Sequence, residues 1–353
     1  MGEATAGHIM LQEIREQPQA IARLLAAERE RVWQMCARWH DTPPRLIVLA
    51  ARGTSDHAAL YAKYLFEIQN GIPVVLAAPS VASVYHARVR MAGGLVIGIS
   101  QSGEAADVIA VLQQAREQGA DTLAITNVAA SPLANAAEGI IELHAAPEVA
   151  VAATKTFTAT MAVLLLLSAG MSRSAHLSDG LERIPTLLAD VLLQEEALLG
   201  RVERFRYLSD CVLLGRGYDM AIAYELGLKL RETCYLRALP FATPDFVHGP
   251  IAILGDGLPV FAIANQGSTL PSVLEVLQQS KARGAEVVVI GNAEQALRLA
   301  DVAFPVNRGQ DVPEEISPFP AIVAGQLLAQ RLSLLKGIDP DQPRGLNKVT
   351  ITH

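Results

Sequence analysis

The chain has few cysteines, few aromatics, no basic excess and no long apolar run. Its three cysteines in 353 residues, Cys36, Cys211 and Cys234, lie far apart with no CxxC pair, which suggests neither a disulfide framework nor a zinc knuckle and suits a reducing cytoplasm. Lys and Arg number 29 against 36 Asp and Glu; the net charge of −7 argues against a nucleic-acid or membrane-surface partner, which would need a basic face. The most apolar run, ATMAVLLLLSAGM at 159–171, is too short to span a membrane and reads as a buried helix. The start, MGEATAGHIMLQEIREQ, carries acids and no apolar core, so no secretory signal is expected. Neither GxxxxGKS/T nor GxGxxG occurs, which disfavours a nucleoside triphosphate or a dinucleotide. What remains, 51% hydrophobic, 5% aromatic and 18% charged, is the composition of an Ala/Leu/Val-rich α/β enzyme of about two domains.

An internal repeat organises the chain. IVLAARG (47–53) matches VLLGRG (212–217), and Gly53 meets Gly217 at an offset of 164. Gly103 meets Gly267 at the same offset; Leu112-Gln113-Gln114 and Gly119-Ala120 then meet Leu277-Gln278-Gln279 and Gly284-Ala285 one residue later. In each copy short β-branched runs alternate with longer helical patterns, the signature of βαβ crossovers. Strands are expected at 45–50, 73–77, 95–100, 121–126 and 139–143, and again at 211–215, 238–241, 258–264, 286–291 and 302–306. The fold class is therefore α/β, two tandem doubly wound parallel sheets. The expected divisions are a helical segment at 1–40, domains at 41–190 and 195–335, and a tail at 336–353.

In such sheets ligands bind beyond the carboxyl ends of the strands. There the sequence places SQSGE: Ser100, Gln101 and Ser102 as polar donors, Gly103 for close backbone approach, and a helix expected from Glu104, whose N-terminus favours an anion. The loop ARGTSDHA repeats the arrangement, with Gly53 at the bend and Thr54 and Ser55 as hydroxyls. The competing reading is that these hydroxyls only cap helices. Further along, YELGLKLRETCY (224–235) sets Glu225, Lys229 and Glu232 on one helical face, either an exposed ion-paired stripe or working charges. His248 follows in PDFVHGPIAIL, and Lys348 lies in a polar tail.

These motifs, with VAATKTFTA (151–159), LGRGYDMAIAYELGLKLRE and the ending DQPRGLNKVTITH, resemble the sugar-isomerase (SIS) family, in particular the isomerase half of glucosamine-6-phosphate synthase. The resemblance implies phosphate binding by Ser100, Gln101 and Ser102, and sugar contacts at Gly53, Thr54, Ser55, Val151 and Ala153. It implies a proton-transferring base at Glu232, a ring-opening acid/base at His248 supplied by the neighbouring subunit of a homodimer, and a Schiff-base lysine at Lys348 with Glu225 and Lys229 as its charged surroundings. Gly2 stands where the synthase's glutaminase domain has its cysteine, so glutamine hydrolysis is not expected. Ala105, Arg52, Asp245 and Asn347 replace the threonine, cysteine, glutamate and alanine of the synthase, which points to a retuned pocket.

The resulting expectation is a cytoplasmic amino-sugar-phosphate deaminase without cofactor or metal, converting glucosamine 6-phosphate and water to fructose 6-phosphate and ammonia. A fructosamine-6-phosphate deglycase and another phosphosugar isomerase are the enzymatic alternatives, and a non-catalytic phosphosugar sensor is the alternative of another class.

Overall fold

The computed structural model describes residues 6–255 and 257–348. The helices are α1 (His8–Arg15), α2 (Gln17–Asp41), α3 (Thr54–Leu65), α4 (Ser80–Ser83), α5 (Ala106–Glu117), α6 (Pro132–Ala136), α7 (Lys155–Ser172), α8 (Ala175–Leu193), α9 (Glu195–Leu199), α10 (Tyr218–Cys234), α11 (Thr243–Val247), α12 (Leu270–Ala282), α13 (Glu294–Leu299) and α14 (Pro318–Leu335). The strands are β1 (Ile47–Ala50), β2 (Val74–Leu76), β3 (Leu95–Ile99), β4 (Asp121–Thr126), β5 (Gly139–Glu142), β6 (Asp210–Gly215), β7 (Arg237–Ala242), β8 (Pro259–Ile263), β9 (Glu286–Gly291) and β10 (Val302–Pro305). Each expected strand is present, its ends within two residues of expectation.

Both sheets are parallel throughout, and both have the same order. The first runs β2-β1-β3-β4-β5 and the second, read from its far edge, β7-β6-β8-β9-β10. The duplication seen in the sequence is thus a duplication of topology, with β1 matching β6 and β3 matching β8. Every residue of β3 and β8 is buried, because helices cover both faces of a parallel sheet. In each unit the helix after the first strand packs on a long apolar helix, α3 on α7 and α10 on α14. Helix α7 is long and apolar enough to cross a membrane, but 94% of it is buried in the fold.

Contacts divide the chain into two compact units: the first-sheet unit, 19–148, 155–182 and the described end of the tail, 347–348, and the second-sheet unit, 6–18, 149–154 and 183–346. The leading helical segment is two helices. Pro18 has no N–H to donate to the Ile14 carbonyl, and Gln17 Nε2 takes that carbonyl at 3.0 Å instead. The chain changes unit directly after this proline.

In both sheets the order reverses between the first and third strands, and that switch point is where the loops at 51–53 and 100–105 emerge. Gly103 has φ +69°, and a Cβ there would stand 2.1 Å from Ser131 Oγ, which accepts the Ala134 N–H at the start of α6. Gly53 has φ +54° but open space around it. We therefore expect Gly103→Ala to destabilise the protein by about 2–4 kcal/mol, and Gly53→Ala by only about 1–2 kcal/mol, the backbone cost alone, in urea unfolding.

Candidate functional site

After β3 the backbone turns through Ser100-Gln101-Ser102-Gly103 before α5 begins at Ala106, two residues later than expected. The delay has a local cause. Ser102 Oγ accepts the Glu104 N–H at 3.3 Å and Ser100 Oγ accepts the Gly103 N–H at 3.2 Å, so the hydroxyls close the turn. Neither caps α5, whose N-cap position is Ala105 with no side-chain acceptor, and the capping reading fails here. A hydroxyl that accepts in this way keeps its proton to donate. The loop is tied back through the Gln101 carbonyl, which accepts from Thr126 Oγ1 and the Asn127 N–H. Among the described residues no acceptor meets the N–H of Gln101 or of Ser102. Two unpartnered amides and two hydroxyls at a sheet's carboxyl edge make a cradle for an oxyanion.

The neighbouring loop places Thr54 and Ser55 as the first residues of α3, with Gly53 rather than a hydroxyl residue at the N-cap. Asp56 follows them, its carboxyl pushed above the ordinary range by burial against the pull of His57 and Arg52. Arg52, expected to bring charge to the pocket, donates Nε to Asp107 Oδ2 at 2.7 Å, and that carboxylate is 1% exposed. Its charge is met within its own unit, by an acid that no sequence motif singles out.

Lys348 is held the same way. Its Nζ lies 2.8 Å from Glu148 Oε2, and Glu148 also accepts from the Thr156 hydroxyl at 2.8 Å and the Thr156 N–H at 3.1 Å. The acid facing Lys348 is thus a buried glutamate at the N-terminal end of α7, 200 residues away in sequence. A pairing over that distance has no local sequence signal.

In the second-sheet unit, α10 does bring Glu225, Lys229 and Glu232 together. Lys229 is 1% exposed and sits 2.7 Å from Glu232 Oε2 and 3.4 Å from Glu225 Oε1. The stripe is therefore no exposed ion-paired face: Glu225 and Lys229 are buried, and only Glu232, a quarter exposed, reaches the surface. A buried ammonium needs such partners, and here it pins the accessible carboxylate. His248 ends α11, exposed, and no hydrogen bond joins it to Glu232 among the described residues. Val151 and Ala153, half-buried, lie in a loop fixed by Glu13, which accepts the Val149 and Ala150 N–H groups, and by Gln326 Nε2 on the Thr154 carbonyl. Gly2 lies outside the described residues.

The second repeat's loop after β8 differs. The N–H of Asn265 donates to Asp219 Oδ2 at 3.2 Å, that of Gln266 to Asn292 Oδ1 at 2.8 Å, and that of Ser268 to Glu314 Oε2 at 2.9 Å. Burial, opposed by two hydrogen bonds from Asn265 and reinforced by the nearby Glu314, pushes the Asp219 carboxyl up to about 7. The folded state then keeps a proton that the unfolded chain loses near pH 4. Its stabilisation is complete below that pH and is lost as pH rises to about 7. In unfolding measured across pH 4–8, the unfolding free energy of wild type relative to Asp219→Asn should fall between pH 4 and 7, by about 4 kcal/mol in total, and run parallel above.

The SIS domain model matches residues 42–169 and 209–325. The chain is 35% identical over 351 residues to glutamine–fructose-6-phosphate aminotransferase (isomerizing) of Thermococcus kodakarensis, and 36% over 344 residues to that of Methanothermobacter thermautotrophicus. Each alignment covers 97% of this chain and 57% of the relative, so the chain spans little more than half their length. Among structures, it superposes on a protein provisionally assigned as a phosphosugar isomerase from Silicibacter pomeroyi DSS-3 with a TM-score of 0.85 at 33% identity, covering 94% of this chain and 99% of that one. On the C-terminal domain of glucosamine-fructose-6-phosphate aminotransferase from Francisella tularensis the TM-score is 0.86 at 26% identity, covering 97% and 100%. Two repeats of one topology, matched by one family over most of their length, place the chain in the SIS domain family.

Proposed function

We propose that the chain is a phosphosugar aldose–ketose isomerase acting as a deaminase, converting glucosamine 6-phosphate and water to fructose 6-phosphate and ammonia. The observation that carries this reading is Glu232, a partly exposed carboxylate held by a buried ammonium on a rigid helix, which suits a group that must move one proton between adjacent carbons. The cradle at 100–102 suits the phosphoryl group. The aminotransferase relatives, isomerizing by name, support a hexose 6-phosphate as substrate class.

In this scheme His248, exposed and reaching the sugar from a neighbouring copy in a homodimer, opens the ring. Glu232 removes the C2 proton and returns it to C1, leaving an imine at C2. Water, or Lys348 with water following, adds at C2; the C2–N bond breaks and ammonia departs. Lys348 becomes a nucleophile only as the free amine, and Glu148, already in contact with its Nζ, is the acceptor for that proton.

Ammonia release from glucosamine 6-phosphate should fall about 10²–10⁴-fold in Glu232→Gln, with substrate binding retained; unchanged release rejects the mechanism. Lys348→Arg keeps the charge opposite Glu148 but cannot form an imine. On the Lys348 route, borohydride in the presence of substrate traps a covalent adduct on wild type and none on this variant; on the water route neither protein is trapped. Supplying a fructosamine 6-phosphate adduct and measuring released amino acid separates the deglycase reading, which predicts that release and no ammonia from glucosamine 6-phosphate.

A further inference from the structure

The two repeats can be compared position by position at their 164-residue offset. Gln101 corresponds to Asn265, Ser102 to Gln266, Gly103 to Gly267 and Glu104 to Ser268. In the first repeat the N–H groups at 101 and 102 meet no acceptor among the described residues, and that at 104 meets only the neutral Ser102 hydroxyl. In the second repeat each counterpart is taken: 265 by the Asp219 carboxylate, 266 by the Asn292 amide, 268 by the Glu314 carboxylate.

The donors have the same placement, beyond the third strand of a parallel sheet at its switch point. The acids stand where the first repeat has none. Asp219 occupies the place of Ser55, and Glu314 lies four residues before α14, as Val151 lies four before α7. Glu314 also fills the loop's concavity, since a Cβ on Gly267 would stand 2.3 Å from its Cδ. The space between Arg216, Asp219, Asn265, Thr269 and Glu314 admits no water-sized guest.

We propose that the second repeat retains an oxyanion cradle that the chain closes with its own carboxylates, Glu314 in the place of a bound phosphoryl group, so that each chain binds one phosphate rather than two. Glu314 is thereby a specificity device. It keeps a phosphosugar from docking in the second repeat, where Tyr218 and Asp219 stand in place of Thr54 and Ser55, and an inorganic phosphate is the smallest ligand the opened cradle would take.

The test counts binding equivalents of inorganic phosphate by calorimetric titration and by ³¹P NMR, on wild type, Glu314→Ala and the double variant Asp219→Ser/Glu314→Ala, which restores the first repeat's residue type at 219. The double variant should bind one equivalent per chain more than wild type. A folded double variant with wild type's stoichiometry overturns the proposal, as does a wild type that already binds two. If the double variant fails to fold, Glu314→Ala decides by thermal shift. Phosphate should raise its melting temperature by more than it raises wild type's, and an equal rise overturns the proposal. Because the measured quantity is the increment, a wild type that binds no phosphate would count against the first-repeat cradle in the proposed function and leave this comparison intact.

Discussion

Backbone N–H groups at the carboxyl edge of a parallel sheet must find acceptors, because the turn that leaves the strand points them away from the ladder. How each repeat answers that demand organises the molecule. In the first, the serines of the 100–103 turn satisfy two amides with neutral oxygens, and those of Gln101 and Ser102 stay open among the described residues. In the second, acids and an amide of the chain itself supply the acceptors. One topology therefore yields a receptive edge and a closed one.

Charge burial is handled by the same rule of local compensation. Lys229 is enclosed with carboxylates on either side of it along α10, Arg52 reaches a buried Asp107, and Lys348 reaches a buried Glu148 that is further held by the first residues of α7. Breaking such a pair leaves an uncompensated charge, which costs far more than the pair itself contributes. Glu232 and Lys348, to which the proposed mechanism gives chemistry, are each held by an ion pair, which is what positioned catalysis requires.

The strands, their parallel doubly wound arrangement and the duplication were legible because they rest on short-range regularities: continuous apolar runs such as VVVI, helical spacing between them, and glycines at corresponding turns. The Glu225, Lys229 and Glu232 face was legible for the same reason, lying within eight residues of one helix. What escaped was whatever pairs across the sequence. Glu148 with Lys348, Asp107 with Arg52, Glu13 under the 149–150 amides and Glu314 beneath Gly267 depend on tertiary approach, and nothing near those acids marks them. The start of α5 escaped because Ser102 turns back on the Glu104 amide, a contest between turn and helix that propensity alone does not decide. The break at Glu16 was readable after the fact in Pro18, whose missing N–H ends one helix where the chain passes from one unit to the other.

The most direct measurement is a crystal structure of the protein soaked with glucosamine 6-phosphate. The account predicts phosphoryl oxygens within hydrogen-bonding distance of the Gln101 and Ser102 N–H groups and the Ser100 and Ser102 hydroxyls, with the 265–268 loop still closed by Glu314. Phosphoryl density at the 265–268 loop, or sugar bound with its phosphoryl group away from residues 100–102, would contradict it.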